Sequence, residues 1–397
     1  MDEKKHKLFS LEKVEIHPLS CKNLKILSLQ SSIDTGEISR IDNLYIKNFF
    51  SIKNIELTNL KDKQEIYFVG ENAKGKTLIL QSIALTFVGV QEGAVFDVVK
   101  NEKNRYLSIY KDNPTPINYV SPNLDIYLLA YGISRNSYHQ MAEDNTGYLT
   151  LFTGGYDLIS PEKWLQYLDY SEQKNIENTI SVKKAKRLLQ ELLDSDIEID
   201  ITPNKVIFKE DGFEVEFRNL SAGYKGVITI ICDLIARFSE KQQVESIADF
   251  RGIVLIDEVE LHLHPKLQYN FMKKLIDTFP KIQFIVSTHS STVILGATEN
   301  ATFYKVYKEN GETKISQPMD NIKNLMANNL STSPLFDMET ARARNSDDKL
   351  KTDEDFIYTK IHEIVSQQMK GKKAIIEDEI VDLINKELDD YLKEHDL

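Results

Sequence analysis

The 397 residues carry 49 Lys and Arg against 61 Asp and Glu, a net charge of −12, which argues against a surface built wholly to coat nucleic acid while leaving a local basic groove open. Hydrophobic residues at 41% and charged residues at 28% match globular averages and exclude wholesale disorder, collagen and mucin-like classes. Two cysteines, Cys21 and Cys232, are too few for a disulfide framework or a thiolate zinc site; no apolar run could span a bilayer, and MDEKKHKLFSLEK lacks a signal-peptide core, so the expectation is a cytoplasmic protein without membrane contact.

Residues 1–37 show no clear pattern. From Ile41, IDNLYIKNFF and SIKNIEL alternate in strand fashion around a short turn, and QEIYFVG (64–70) reads as a buried strand. A Gly-containing loop and the apolar helical stretch LILQSIALTFVG follow, the beginning of a βα unit. The chain from about 99 to 150 is polar and rich in Tyr and Asn, with one predicted strand, LDIYLLAYG (124–132). Ala185, Leu188, Leu189, Leu192 and Leu193 mark an amphipathic helix within 175–193. Its polar side carries Lys183, Lys184, Lys186 and Arg187, readable as a solvated face or as a phosphate contact. A β-meander follows, IEIDIT, KVIFKE and FEVEF, with turns at 203–204 and 211–212. The α/β alternation then resumes: VITIICDLIARF helical, RGIVLIDE a buried strand, a helix over 265–279 and the strand IQFIVSTH. Residues 340–355 read as a polar linker, and Ile376, Ile380, Leu383, Ile384, Leu388, Tyr391 and Leu392 share one helical face.

Gly70, Glu71, Asn72, Ala73, Lys74, Gly75, Lys76 and Thr77 fit G-x-x-x-x-G-K-[ST], with the required strand before and helix after. The glycines let backbone wrap phosphates, the N–H groups and helix N-terminus face the anion, Lys76 reaches the β- and γ-phosphates, and Thr77 offers a hydroxyl to Mg²⁺. Leu78 completes the predicted ATP-binding set. GIVLIDE (252–258) ends an apolar run in two carboxylates, and the carboxyl end of a buried parallel strand is where ligands bind in an open α/β sheet. Asp257 would hold Mg²⁺ through water, and Glu258 would orient and deprotonate the attacking water; taken alone, the pair could equally be a strand meeting solvent. IVSTHSS puts His289 at the end of another apolar strand, within reach of a γ-phosphate or a water. In NLSAGY (219–224), Ser221 and Gly223 open a helix and suit an anion site and an ordinary N-cap equally.

In this order the phosphate loop, LSAGY, LIDE and STH resemble the ABC-type ATPase heads, in their soluble SMC/RecF/OLD-like branch. GENAKGKT resembles the GxNxxGKS/T loop of those heads, and IDNLYIKNFFSIKNIEL their first strands. LSAGYKGVITIICDLIAR, LIDEVELHLHPKLQ and FIVSTHS are similar to segments of stand-alone AAA-type ATP-binding proteins of bacterial defence loci. The resemblance implies that two heads dimerise head to tail around two ATP molecules, with Ser221 and Gly223 of one subunit on the γ-phosphate held by the other. It makes Val259, Glu260, Leu261 and His262 the loop that communicates across the dimer, and HLHP (His262, His264) a trait of that loop in preference to a metal site. Tyr131, Gly132 and Arg135 stand where a Q-loop glutamine would follow the strand, so that role has no residue assigned. The interval between phosphate loop and signature is too short for SMC coiled-coil arms, and nothing after His289 resembles the OLD nuclease domain.

The expected fold is therefore α/β, an ABC-type P-loop ATPase head with a helical/β insertion and a helical C-terminal tail. Residues 1–135 and 213–308 would form the head, 136–212 the insertion and 309–397 the tail, available for partner docking. The expected function is an ATP-hydrolysing subunit with Lys76, Glu258 and His289 as catalytic residues, Thr77 and Asp257 on Mg²⁺, a head-to-tail self-dimer or higher oligomer as the working form, and nucleic acid left open as a partner. It would act as sensor and switch for a separately encoded effector, a nuclease by expectation, in an antiphage complex resembling the Septu-, PARIS- or retron-associated systems. The alternative is a RecF-type repair ATPase that binds DNA directly. A transporter subunit fits HLHP poorly, and a small-molecule kinase leaves LSAGY and STH without a task.

Overall fold

The computed structural model describes residues 29–30, 40–41, 43–88, 127–136, 142–144, 146–195, 197–202, 205–210, 212–319 and 322. All belong to the first of two compact units, Met1–Asp337 and Met338–Leu397. The linker expected at 340–355, the helical face expected at 376–392 and the turn residues 203, 204 and 211 lie outside the described residues.

Strands β1 (Leu29–Gln30), β2 (Asn43–Phe49) and β3 (Ile52–Leu57) form a small antiparallel sheet. Strand β4 (Glu65–Val69) then enters the central sheet, and helix α1 (Lys76–Val88) follows it, as the βα pattern predicts. After β5 (Leu128–Tyr131) come the short parallel pair β6 (Ala142–Glu143) and β7 (Tyr156–Asp157), then helices α2 (Pro161–Gln173) and α3 (Val182–Leu193). The meander is β8 (Glu198–Ile201), β9 (Val206–Glu210) and β10 (Phe213–Glu216). Helix α4 (Ala222–Lys241), β11 (Gly252–Ile256), α5 (Pro265–Thr278), β12 (Ile282–Thr288) and the short α6 (Ser291–Leu295) restore the alternation. A hairpin of β13 (Thr302–Glu309) and β14 (Glu312–Ile315) completes the described fold.

The central sheet runs β14-β13-β4-β12-β11-β5. All are parallel except β14, which closes one edge antiparallel to β13. Such strands must be apolar on both sides because both faces are covered. The alternation is strict: Tyr67, Leu129, Val254 and Phe284 belong to the core under α2–α5, while Phe68, Ala130, Leu255 and Ile285 belong to the core under α1 and the β2–β3 hairpin. Gln283 is buried on β12, as are Ser287 and Thr288 at the strand's carboxyl end. The Gln283 amide accepts from Ile41 N (2.8 Å) and donates to Leu60 O (2.9 Å) and Lys63 O (3.0 Å), stitching the antiparallel sheet to the parallel one with its polar atoms satisfied.

Two differences from the sequence reading have local causes. The helix expected within 175–193 begins only at Val182, because Asn175 takes a left-handed φ of 56° and Ser181 caps the helix, its Oγ accepting from Lys184 N at 3.3 Å. Lys183, Lys184 and Arg187 of that helix are exposed. The reading predicts no element at Thr302–Ile315, yet β13 pairs with β4 and is buried on both faces up to Val306, apart from half-buried Lys305, so no period of two shows in TFYKVY.

Candidate active site

The parallel register brings the carboxyl ends of β4, β12, β11 and β5 to one sheet edge, the first three followed by a predicted motif and β5 by the turn that lacks the expected glutamine. Beyond β4 the phosphate loop turns through left-handed backbone at Ala73 (φ 62°) and Gly75 (φ 111°) into α1. Lys76, only 5% exposed, donates from Nζ to Gly70 O (2.6 Å) and Glu71 O (2.9 Å), so the ammonium is folded under its own loop. Burial lowers its pKa, and Glu258, Glu260, Asp257 and Glu71 oppose that shift.

The β13–β14 hairpin supports this loop. A Cβ on Gly75 would lie 2.5 Å from Thr313 Oγ1, so only glycine fits between them. The Thr313 hydroxyl donates to Lys74 O (3.0 Å); with its hydrogen so used, it accepts from Ser51 Oγ (2.8 Å), while Thr313 N donates to Ser51 O (2.8 Å). Tips of two hairpins thus brace the loop from behind. Thr313→Val removes the bond to Lys74 and, once the loop is free to sample other shapes, should weaken ATP binding by about 3- to 10-fold in a fluorescence titration, the equivalent of one net hydrogen bond. Unchanged affinity would show that the brace does not shape the loop.

Beyond β11, Asp257 is 3% exposed. Its Oδ2 accepts from Thr77 Oγ1 (2.7 Å) and its Oδ1 from Ser287 Oγ (2.5 Å) on β12. Glu258 sits at φ 45°, an uncommon conformation for a residue with a Cβ. Three bonds hold it there: Glu258 N donates to Ser287 Oγ (2.8 Å), and its carbonyl accepts from Arg135 Nη2 (2.6 Å) and Leu261 N (2.9 Å). Strain persists where surroundings over-determine it. The Glu258 carboxylate itself is half-buried and accepts no hydrogen bond among the described residues.

Arg135 lies in the turn after β5, 5% exposed. Besides Glu258 O it donates from Nη1 to Asp257 O (2.6 Å) and Gly132 O (3.0 Å). Burial lowers its pKa to about 10, with Asp257, Glu260 and Glu258 opposing, so it stays charged at neutral pH. Where a Q-loop glutamine would stand, this guanidinium clamps the backbone of the acidic turn. Beyond β12, His289 pairs through Nδ1 with Glu260 Oε1 at 2.8 Å.

Ser221 and Gly223 open α4. Ser221 is exposed and its Oγ accepts from Tyr224 N (3.2 Å), so in this chain it acts as N-cap. Gly223 is buried: a Cβ there would come within 2.6 Å of His262 O, so α4 starts directly against the loop after Glu258. His264 caps α5, its Nδ1 accepting from Lys266 N (3.4 Å).

An AAA ATPase domain family matches residues 159–294, the stretch that holds Ser221, Asp257, Glu258 and His289. Septu protein PtuA of Bacillus mycoides (strain KBAB4) is 26% identical over 334 residues, 76% of this chain and 45% of that protein. The retron Vc95 probable ATPase of Vibrio cholerae serotype O1 biovar El Tor is 44% identical over 90 residues, 22% of this chain and 18% of that protein. The SMC head domain from Thermotoga maritima covers 71% of this chain and 99% of its own, at 17% identity and a TM-score of 0.39. The chain spans less than half the length of the curated relatives it matches here. Among its described residues no helix is long and apolar enough to cross a membrane.

Ser287, Arg135, Glu260 and Thr313 shape the site through contacts with positions far away in sequence that no motif announces. Ser287 and Glu260 stand inside the STH and LIDEVELHLHP segments and Arg135 marks a departure from the expected glutamine, but no motif assigns them these contacts; Thr313 left no trace.

Proposed function

We propose that this domain binds Mg·ATP on the phosphate loop and hydrolyses it to ADP and phosphate by in-line attack of water. The observation that carries the reading is the 2.7 Å contact from Thr77 Oγ1 to Asp257 Oδ2, which joins two motifs 180 positions apart. Two hard oxygen donors side by side next to a phosphate loop suit Mg²⁺, which uses few protein ligands and completes its shell with phosphate and water. Thr77 and Asp257 would hold the ion, and its charge would neutralise the β- and γ-oxygens.

The rest falls to the chain. The N–H groups of residues 70–78, from Gly70 through Glu71, Asn72, Ala73, Lys74, Gly75, Lys76 and Thr77 to Leu78, surround the phosphates. Lys76 exchanges the carbonyls of Gly70 and Glu71 for phosphate oxygens. Glu258, its carboxylate open, orients a water and accepts its proton as the bond to the γ-phosphorus forms and the bond to the β–γ bridging oxygen breaks. His289 contacts the γ-phosphate.

Two copies would close head to tail around two nucleotides, with Ser221 and Gly223 completing the partner's site. An exposed Ser221 at the positive end of a 20-residue helix supports that role. The head would comprise 1–135 and the segment from 213 through the β14 edge strand, with 136–212 as insertion and the remaining tail as a docking segment. Similarity to Septu and retron ATPases supports a cytoplasmic sensor and switch that controls a separate effector, a nuclease by preference, in antiphage defence. The test is the light-scattering mass of Glu258→Gln with and without Mg·ATP. A mass that doubles with nucleotide is expected; a monomer indifferent to saturating ATP overturns the trans assignment of Ser221 and Gly223.

A further inference from the structure

Glu260 is a buried carboxylate at this site whose side chain has no task in the proposed hydrolysis. It is 5% exposed, and its Oε1 accepts twice from the same residue, from His289 Nδ1 (2.8 Å) and from His289 N (2.6 Å). Its Oε2 is buried and has no hydrogen-bond partner among the described residues. Burying a carboxylate with one oxygen unpaired is costly, so packing alone does not account for this residue.

Its partner has little else to hold it. The His289 side chain is 47% exposed, and a histidine ring turns about χ2 in broad, roughly two-fold wells unless something fixes it. A carboxylate on Nδ1 does two things at once. It selects one of the two ring orientations, and in the neutral ring it keeps the proton on Nδ1, leaving the Nε2 lone pair free.

The backbone of Glu260 leads elsewhere. Its carbonyl accepts from Leu263 N (2.9 Å), and Val259 N beside it donates to Ser287 O (3.1 Å). Two residues on, the His262 carbonyl lies against Gly223 at the start of α4. One residue therefore touches the strand end that carries His289 and belongs to the loop that packs on the signature helix.

We propose that Glu260 is a positioning residue: it fixes the orientation and tautomer of His289 and ties that ring to the 259–263 loop packed on α4. The proposal rests on His289 acting at the γ-phosphate, but the tautomer can be measured without nucleotide or turnover. In ¹⁵N-histidine-labelled protein at alkaline pH, with His289 assigned by its loss in His289→Ala, the ring should carry its proton on Nδ1. Glu260→Ala should convert it to a tautomer mixture, and Glu260→Gln, which keeps a carbonyl acceptor, should largely preserve it. A proton on Nε2 in the unaltered chain, or the same spectrum in Glu260→Ala, overturns the proposal.

Kinetics then test the consequence. Glu260→Ala should lower kcat about tenfold or more with KM for ATP within about twofold, Glu260→Gln should recover part of the loss, and the double variant with His289→Ala should be no slower than His289→Ala alone. Multiplying losses would mean that Glu260 acts independently of the ring, against the proposal. If the unaltered chain fails to hydrolyse ATP, the function proposed above fails, while the NMR result still decides the tautomer.

Discussion

Glu258→Gln should bind ATP as tightly as the unaltered chain and hydrolyse it on the order of 10²–10⁴ times more slowly, the usual contribution of a positioned general base. The amide has the shape of the carboxylate but cannot take a proton. The backbone should not move, because what holds Glu258 at φ 45° is its own N–H and carbonyl, bonded to Ser287, Arg135 and Leu261. The side chain takes no part in that clamp and can be altered without releasing it. Single-turnover hydrolysis beside equilibrium binding separates the two effects. Hydrolysis at the unaltered rate would remove Glu258 as the base, and a parallel loss of binding would mean that the substitution disturbed the loop.

Lys76→Ala should fail earlier, at binding. The ammonium stands among Glu258, Glu260, Asp257 and Glu71, all of which stabilise its charge. Without it a triphosphate would be asked to approach uncompensated carboxylates. Truncating one partner of a buried, hydrogen-bonded charge pair costs about 2–5 kcal/mol or more, which corresponds to roughly 30- to several-thousand-fold in affinity. In isothermal titration calorimetry the heat of ATP binding should disappear at concentrations that saturate the unaltered chain. Affinity within a few-fold of normal would show that the ammonium stays on Gly70 and Glu71 and that the backbone N–H groups alone hold the nucleotide.

The parts of this site that the sequence discloses are those whose chemistry is written in consecutive residues. A buried strand, a glycine-containing loop and a helix follow one another from 64 to 88, and β11 and β12 end in DE and STH, so local pattern and local geometry coincide. Supporting contacts are different in kind. Arg135 meets Glu258 across 123 positions and Thr313 meets Lys74 across 239, and nothing in the neighbourhood of an Arg or a Thr signals such a meeting. Glu260 and His289 lie only 29 apart, but their pairing follows from β11 and β12 being adjacent in the sheet. Helix α2 escaped prediction for another reason. Trp164, Leu165 and Leu168 face the core, but Tyr167 (55% exposed) and Tyr170 (54%) lie on the outer side, and these tyrosines blur the apolar stripe.

The brace at Thr313 bears on where this protein can be divided. Every recognisable ATP motif lies before residue 290, which invites a minimal domain that stops soon after His289 or at the end of the predicted head, residue 308. Such a fragment would keep each residue proposed to touch nucleotide and lose the surface on which Gly75 rests. The floor of the proposed pocket is laid by a hairpin that follows the last motif, so the smallest inheritable unit of the proposed ATP site is longer than its signature, and a domain swap that respected the motifs alone would transplant the walls of the site without its floor.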